Sequence, residues 1–225
     1  MKRLLVICPT RERPNRLAEM VESFKINTSD QATLVTIVDD DDPLVKEYID
    51  LSKKLQFICR VRPRKTVIEH LNWTFFCSSN YSYYSSSSDD YIYKTLDWDK
   101  KLTKAIDGNG IAYGNDLCAG ENIPTTSIIS GEIVRALNWL QLPTLTHLCG
   151  DLVYKSIGKR LKCLHYCPDV IIEHNHFMNR KAEKDASYCR TNSKEMYLKD
   201  HEAYEHWLKN NFDDDCERIK EWITR

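Results

Sequence analysis

The sequence lacks any hydrophobic run long enough to cross a membrane. Its longest apolar stretches, residues 4–8 and 170–172, fall far short of the roughly 20 residues that a transmembrane helix needs. The first of them is also too short for the core of a signal peptide, and no small-residue cleavage site follows it. The 9 cysteines are odd in number and scattered, which is typical of free thiols in a reducing compartment. We therefore expect a cytoplasmic protein with no transmembrane segment.

Three common sequence motifs are also absent. The pattern Gly-x-Gly-x-x-Gly of dinucleotide-binding sites does not occur, and neither does the P-loop pattern Gly-x-x-x-x-Gly-Lys-Ser/Thr. The pattern Gly-x-Ser-x-Gly, which places the nucleophile of many esterases, is missing as well. The sequence therefore gives no support for a Rossmann dinucleotide enzyme, a P-loop nucleotide hydrolase or an ordinary esterase.

The chain has almost no net charge. Its 32 Lys and Arg residues nearly balance its 33 Asp and Glu residues, so the formal net charge is −1. This balance gives no overall attraction to nucleic acid, although basic side chains cluster at residues 60–65. The hydrophobic content of 42% is that of a soluble globular protein, and 225 residues suffice for one domain, with or without an appendage.

The first 80 residues alternate between strand and helix patterns. The predicted strands cover residues 2–8, 33–38 and 56–61. The predicted helices cover residues 14–24, 44–49 and 67–76. This alternation favours a parallel sheet with helices on both faces, and such sheets bind ligands at the carboxyl ends of their strands. The loops expected at that edge are residues 9–13, 39–42 and 62–65.

The rest of the chain is less regular. Further predicted helices cover residues 97–106, 133–140 and 151–161. Further predicted strands cover residues 110–113 and 170–173. From Ser193 onward, apolar residues recur on one helical face, which predicts a helical C-terminal tail.

Two adjacent aspartates, Asp89 and Asp90, follow a stretch rich in tyrosine and serine. Adjacent carboxylates repel each other, so such a pair is useful where a cation or a group of hydrogen-bond donors lies beside it. The pair could hold a divalent metal that in turn binds a phosphate. Asp-Asp is also an ordinary solvated turn, and these two residues by themselves favour that interpretation.

Two other patterns have both a structural and a chemical interpretation. His174 and His176 lie two residues apart, so on a strand they share a face and could both reach a metal; they could equally be two hydrogen-bonded imidazoles at a strand end. Asp151 follows Gly150 at the start of a predicted helix, where a carboxylate could cap the helix or act as a general base. Together with an aspartate pair elsewhere, the histidines would form an oxygen-and-nitrogen site that suits Mn²⁺.

Taken in order, these segments resemble GT-A glycosyltransferases, close to the broad family 2 type and its phage and bacterial relatives. The matching segments are Cys8-Pro9-Thr10-Arg11-Glu12-Arg13-Pro14, Val38-Asp39-Asp40, Ser88-Asp89-Asp90, Trp98-Asp99, Tyr113-Gly114-Asn115-Asp116, Gly150-Asp151 and Pro168-Asp169-Val170-Ile171-Ile172-Glu173-His174. The resemblance covers about residues 3–190 and implies an α/β fold, with a mixed, mostly parallel sheet flanked by helices. Residues 1–190 would form the GT-A domain, and residues 191–225 would form a C-terminal helical extension packed on it.

The resemblance also implies residues that bind a nucleotide-sugar donor. They are Thr10, Arg11, Arg13, Asp39, Asp89, Arg180 and Lys181. Asp39 would hydrogen-bond a uracil-type base, and Asp89 would contact the ribose or the donor sugar. Arg180 and Lys181 would lie on a flexible loop over the diphosphate. Ser88 stands where the Asp-x-Asp pattern of the family has its first aspartate, which leaves one fewer carboxylate near the diphosphate.

For the chemistry, the resemblance implies that Asp90 and His174 bind Mn²⁺ or Mg²⁺, with His176 as the second choice of ligand, and that Asp151 is the general base. The implied activity moves a sugar from a nucleoside-diphosphate sugar, a UDP-sugar in the first place, to an acceptor hydroxyl with inversion. A nucleotidyltransferase-like enzyme and a non-catalytic nucleotide-sugar-binding module are the alternatives. The acceptor could be a saccharide, a lipid-linked sugar, a protein or a modified nucleic-acid base, in the cytoplasm of a bacterium or of a phage-infected cell.

Overall fold

A single mixed sheet runs through the described part of the chain. The structure is a computed structural model, and it describes residues 3–106, 108–177, 181 and 185–224. The strands are β1 (Leu4–Thr10), β2 (Ala32–Asp39), β3 (Ile58–Arg62), β4 (Tyr83–Ser86), β5 (Tyr91–Tyr93), β6 (Ile111–Asn115), β7 (Ser127–Ser130) and β8 (Leu164–His174). Their order across the sheet is β3-β2-β1-β4-β7-β6-β8-β5. Strands β1 to β4 pair in parallel, whereas β7 and β5 run antiparallel to their neighbours.

Helices cover both faces of this sheet. They are α1 (Pro14–Asn27), α2 (Val45–Leu55), α3 (Val67–Phe76), α4 (Trp98–Ala105), α5 (Gly131–Leu137), α6 (Gly150–Arg160), α7 (Ala186–Thr191), α8 (Lys194–Asn210) and α9 (Phe212–Ile223). A short 3₁₀ turn covers Gly120–Asn122. No helix within the described ranges is long and apolar enough to cross a membrane.

The two layers of helices follow from the alternation of side chains along the central strand β1. Leu5 and Ile7 are buried on the face that is covered by α3, α5, α6, α8 and α9. Leu4 and Val6 are buried on the opposite face, under α1, α2 and α4. Because neighbouring side chains of a strand point to opposite faces, an almost wholly apolar strand requires cover on both sides. The helices on both faces that the alternating pattern predicted are thereby confirmed, and so is the mixed, mostly parallel sheet that the family resemblance implied.

Several elements differ from the sequence-based expectations. No strand was assigned from the sequence to the serine-rich segment before Asp89, but this segment contains β4. Its tyrosine and serine residues pair with β1, with Ser85 opposite Val6. Strands β5 and β7 were not predicted. Strand β8 begins at Leu164, six residues before the predicted start, and its register against β6 shifts next to Gly114.

Candidate active site

A large cavity lies at the carboxyl ends of the parallel strands. Its volume is about 1140 Å³, and it is lined by residues that follow β1, β2 and β4, by the start of α6 and by the end of β8. Sites for one drug-sized ligand span roughly 300–1,000 Å³, so this cavity is large enough for a ligand of that size. Most of the residues that the sequence singles out line it. They are Thr10, Arg11, Arg13, Asp39, Asp89, Asp90, Asp151, His174 and His176.

Asp89 is buried against donors from the loop after β1. The hydroxyl of Thr10 donates to Asp89 Oδ2 at 2.7 Å, and Nη1 of Arg13 donates to Asp89 Oδ1 at 3.1 Å. Only 5% of Asp89 is exposed to solvent. Burial and the charge of neighbouring Asp90 raise the pKa of Asp89, while Arg13 and Thr10 oppose this rise. Asp89 is therefore held in place by the last residue of β1 and by the loop that follows it.

Asp90 has a different set of neighbours. The hydroxyl of Tyr188 donates to Asp90 Oδ2 at 2.7 Å, and His174 Nε2 lies 3.4 Å from Asp90 Oδ1. Among the described residues, no donor completes a hydrogen bond to Oδ1, although this atom is buried. Burial opposes ionisation of Asp90, but His174, Ser88 and Tyr188 outweigh it and lower the pKa of its carboxyl. The two aspartates thus have different surroundings. Of the two, Asp90 is the one with a buried carboxylate oxygen, Oδ1, that accepts no hydrogen bond from the described residues.

These observations test whether the site suits a divalent cation. Within the described ranges, no three or more His, Cys, Asp or Glu side chains converge as a complete metal site. Mg²⁺ and similar ions are commonly bound by only one or two carboxylates, and phosphates of the substrate and water complete the coordination. A carboxylate oxygen without a donor, next to an imidazole nitrogen, provides such a partial set. Asp90 and His174 therefore fit a divalent cation as a partial ligand set.

Asp39 lies at the end of β2, and three donors surround its carboxylate. His70 Nε2 lies 2.8 Å from Asp39 Oδ1, the backbone N–H of Lys65 donates to Oδ1 at 3.3 Å, and Nη1 of Arg11 donates to Oδ2 at 3.2 Å. Arg11 also binds Asp41 at 2.6 Å. In this part of the cavity, Asp39 is therefore one member of a hydrogen-bonded group and not an isolated carboxylate.

Asp151 also lines the cavity, at the start of α6. The N-cap of this helix is Cys149, whose φ of 66° is left-handed, so Asp151 lies within the first turn and is not the capping residue. Its carboxylate accepts a hydrogen bond from the backbone N–H of Leu152 at 2.9 Å. Burial raises the pKa of Asp151, and the hydrogen bonds from Leu152 and from its own backbone only partly offset this rise. A carboxylate with a raised pKa that lines a cavity is well suited to accept a proton.

Three other residues were expected at the site: His176 as the second choice of metal ligand, and Arg180 and Lys181 over the diphosphate. His176 packs beside His174, with 5.0 Å between the ring centroids, and burial lowers its pKa to about 4. The ammonium of Lys181 contacts the carboxylate of Glu173, and Lys181 is not among the residues that line the cavity. Arg180 lies outside the described residues. The structure therefore brings His176 to the site and leaves Lys181 beside it.

Several residues at the site have no signal in the sequence that would have identified them. Tyr188 on α7 is buried, bonds Asp90 and lies under the guanidinium of Arg13 at 3.9 Å from the ring centroid. Arg13 also forms an ion pair with Asp185 at 2.7 Å, and Nη1 of Arg16 donates to the Tyr188 hydroxyl at 2.6 Å. Asp185 caps α7 by accepting the N–H of Tyr188, which a capping pattern could have suggested. The contact with Asp90 spans 98 residues of sequence and is visible only in the fold.

Solved structures share this architecture at low sequence identity. The mannosyltransferase PcManGT from Pyrobaculum calidifontis, in complex with GDP-Man and Mn²⁺, matches with a TM-score of 0.59 and 10% identity, over 97% of this chain and 73% of that chain. S. aureus TarS matches with a TM-score of 0.60 and 10% identity over 76% of this chain. TarS 1–349 in complex with UDP-GlcNAc gives 0.57 and 11%, over 76% of this chain and 57% of that one. A cytidylyltransferase from Leptospira borgpetersenii serovar Hardjo-bovis gives 0.52 and 14%, over 75% of this chain and 76% of that one.

These likenesses establish the fold. The chain has a GT-A fold, in agreement with the resemblance noted from its sequence. It spans 36% of the length of TarS and 59% of the length of TarS 1–349. No family model matches the sequence, and no curated protein sequence matches it. Residue roles therefore depend on the geometry of this chain.

Proposed function

We propose that this protein is a glycosyltransferase that uses a divalent cation and a nucleoside-diphosphate sugar. The observation that carries the proposal is the composition of the cavity. Asp90 and His174 fit a cation, and Asp151 lines the same cavity with a carboxyl whose pKa is raised. Charge develops on the diphosphate leaving group, and the attacking hydroxyl must lose a proton, so the reaction needs both functions.

Different residues would act on the nucleotide-sugar donor and on the acceptor. A cation bound at Asp90 and His174 would stabilise the negative charge of the departing nucleoside diphosphate. Asp89, fixed by Thr10 and Arg13, would bind the ribose or the donor sugar. Asp151 would accept the proton of the acceptor hydroxyl as that hydroxyl attacks the anomeric carbon. Attack from the face opposite the leaving group would invert the configuration of the sugar.

The base of the donor would lie at Asp39. His70 and Arg11 already form hydrogen bonds with its carboxylate. A uracil ring would therefore bind the same oxygens as well, or displace one of these two side chains. GDP-Man and UDP-GlcNAc are bound by the two structurally similar proteins PcManGT and TarS 1–349, respectively. We propose a UDP-sugar as the donor, with GDP-sugars as the comparison.

A nucleotidyltransferase is the second candidate, because a cytidylyltransferase shares the fold over 75% of this chain. Such an enzyme would consume a nucleoside triphosphate and release pyrophosphate. The position of Asp151 favours the glycosyltransferase, since a carboxylate that lines the cavity can activate a hydroxyl nucleophile.

The substitution Asp151→Asn tests the proposal. We expect calorimetry to detect binding of a UDP-sugar in the presence of Mn²⁺ to both the wild-type protein and the variant. Release of UDP, measured over a panel of saccharide, lipid-linked, protein and modified-base acceptors, should fall by about 100-fold or more in the variant, because general-base catalysis contributes roughly 10²–10⁴-fold. In the wild type, activity should decline with falling pH through the raised pKa of Asp151, above the ordinary range of aspartate.

Asp50→Asn is the matched control, since Asp50 is an exposed carboxylate on α2 that pairs only with Lys53 among the described residues. It should change neither binding nor turnover. The proposal is wrong if no UDP- or GDP-sugar binds with Mn²⁺. Pyrophosphate release from a nucleoside triphosphate would favour the second candidate, and donor binding without turnover by the wild type on any acceptor would indicate a binding module.

A further inference from the structure

We propose that Asp200, on helix α8, is a positioning residue that fixes the loop before Asp151. This inference rests on the proposed function, because it assigns Asp200 an effect on the general base. It also makes the C-terminal helices part of the catalytic apparatus, although α8 follows Asp151 by more than 40 residues of sequence. Asp200 does not line the cavity itself.

Three consecutive backbone amides converge on the carboxylate of Asp200. The N–H of Thr146 donates to Oδ1 at 2.8 Å, and the N–H groups of His147 and Leu148 donate to Oδ2 at 2.7 and 2.6 Å. Asp200 is 0% exposed, so water does not compete for these bonds. Hydrogen bonds to an ionised acceptor are shorter and roughly twice as strong as those between neutral groups. One side chain therefore sets the conformation of the whole segment from 146 to 148.

This segment leads directly to the base. Cys149 follows with its left-handed φ of 66°, and Gly150 and Asp151 then open α6. Gly150 lies so close to Gln141 that a Cβ atom on Gly150 would be 2.2 Å from Gln141 Oε1. The turn is therefore fixed on one side by Asp200 and confined on the other by Gln141. A shift of the 146–148 segment would therefore move Cys149 and Gly150 and, with them, the carboxylate of Asp151.

Loss of the three hydrogen bonds should affect turnover more than donor binding. The hydrogen bonds and ion pairs of the donor-side residues Thr10, Asp89 and Asp90 link them to one another, to α2, α7 and β8 and to the loop after β1. None of their hydrogen bonds in the described residues involves residues 146–148. Asp151, by contrast, is only three residues from Leu148. A displacement of about 1 Å at a reacting group costs on the order of 100-fold in rate. The signature of a positioning role is thus a reduced kcat with an unchanged donor KM.

The substitution Asp200→Asn tests this inference. The amide group of Asn keeps one accepting oxygen but turns an N–H donor toward at least one of the three backbone N–H groups, so at least one of these hydrogen bonds is lost and the loop shifts. We expect kcat to fall by about 10- to 100-fold, while the donor KM and the calorimetric Kd for a UDP-sugar with Mn²⁺ change less than twofold. Asp215→Asn is the matched control: Asp215 is also a buried carboxylate of the C-terminal helices, and it binds Trp207 and Arg218 rather than the loop.

Hydrogen exchange on the wild-type protein gives a second measurement that does not depend on how the variant folds. The amides of Thr146, His147 and Leu148 should be protected to the same degree as amides within helices. The inference is overturned if these amides exchange as fast as exposed loop amides. It is also overturned if Asp200→Asn and Asp215→Asn lower kcat equally, because the effect would then be one of general stability.

The outcome for Asp151→Asn separates this inference from the proposed function. If Asp151→Asn is inactive but Asp200→Asn keeps the wild-type kcat, the positioning role is wrong and the general base stands. If Asp151→Asn retains full turnover, the proposed function itself fails. A reduced kcat in both variants, with donor binding retained, supports both.

Discussion

At the scale of single residues, the site is organised by what surrounds each buried carboxylate. Asp89 and Asp90 are adjacent and both almost fully buried, an arrangement that destabilises the ionised pair by repulsion. The protein separates them by giving each its own partners. Arg13 and Thr10 bind Asp89, and Tyr188 and His174 approach Asp90. Such a local conflict is expected where a sequence serves binding rather than stability.

The choice between His174 and His176 as a cation ligand can be tested at this scale. His174 Nε2 lies 3.4 Å from Asp90 Oδ1, whereas His176 packs edge-to-face on Tyr188 at 4.6 Å between ring centroids. We expect His174→Ala to weaken Mn²⁺ binding in the presence of UDP by at least about 10-fold, since it removes one of the two proposed protein ligands. His176→Ala should weaken it less. Calorimetric titration of Mn²⁺ measures both, and a larger loss for His176→Ala would reverse the assignment.

The positions of the predicted site residues could be inferred from the sequence because they follow strands. Thr10, Asp39 and Asp89 each come at or just after the end of a parallel strand, and the ends of neighbouring strands meet at one edge of the sheet. His70 and Tyr188 could not be found in this way. They lie within helices, and only the packing of those helices brings them to Asp39 and Asp90.

At the scale of elements, the helices and strands of the first half were predicted well because their patterns are strong and their contacts are local. Helix α3 begins and ends where the spacing of apolar residues indicates. Strands β5 and β7 have only 3 and 4 residues, too few for a periodic pattern. They exist because neighbouring strands offer unpaired backbone groups, and β5 pairs with β8 from the far end of the domain. Sequence patterns do not contain that information.

Helix α3 illustrates how an element positions a site residue. It carries His70, and a capping box fixes its start: Glu69 N donates to Thr66 Oγ1 at 3.2 Å, and Thr66 N donates to Glu69 Oε2 at 2.8 Å. Since the hydroxyl of Thr66 satisfies a helix N–H that would otherwise lack a partner, its loss should loosen the first turn just before His70.

We expect Thr66→Ala to lower the free energy of unfolding by about 1 kcal/mol, the usual contribution of an N-cap side chain. Urea denaturation followed by circular dichroism measures this change. Thr66→Ser keeps the hydroxyl and should lie within a few tenths of a kcal/mol of the wild type. Equal stability of the alanine variant and the wild type would show that the cap contributes nothing.

At the scale of the whole molecule, the C-terminal helices are not separable from the sheet. Tyr204 and Trp207 of α8 and Ile219 of α9 are buried in the same core as Leu5 and Ile7 of β1. Helix α9 packs on α5, and Asp200 of α8 holds the loop before α6. Residues 191–225, expected from the resemblance to form an extension, thus share their core with residues of the expected GT-A domain. We therefore predict that the chain unfolds as one unit.

The substitution Trp207→Ala tests this cooperativity. Truncation of a buried Trp costs roughly 3–5 kcal/mol, and here it also removes the Nε1 hydrogen bond to Asp215 at 2.8 Å. Calorimetry should record a single transition, in wild type and variant alike, whose midpoint falls for the whole chain. Trp222→Ala is the control, because Trp222 is 39% exposed and should change the midpoint little. Trp207→Ala could instead show a separate transition at lower temperature and still bind the UDP-sugar at temperatures above that transition. This result would mean that α8 and α9 unfold independently and that the active site does not need them.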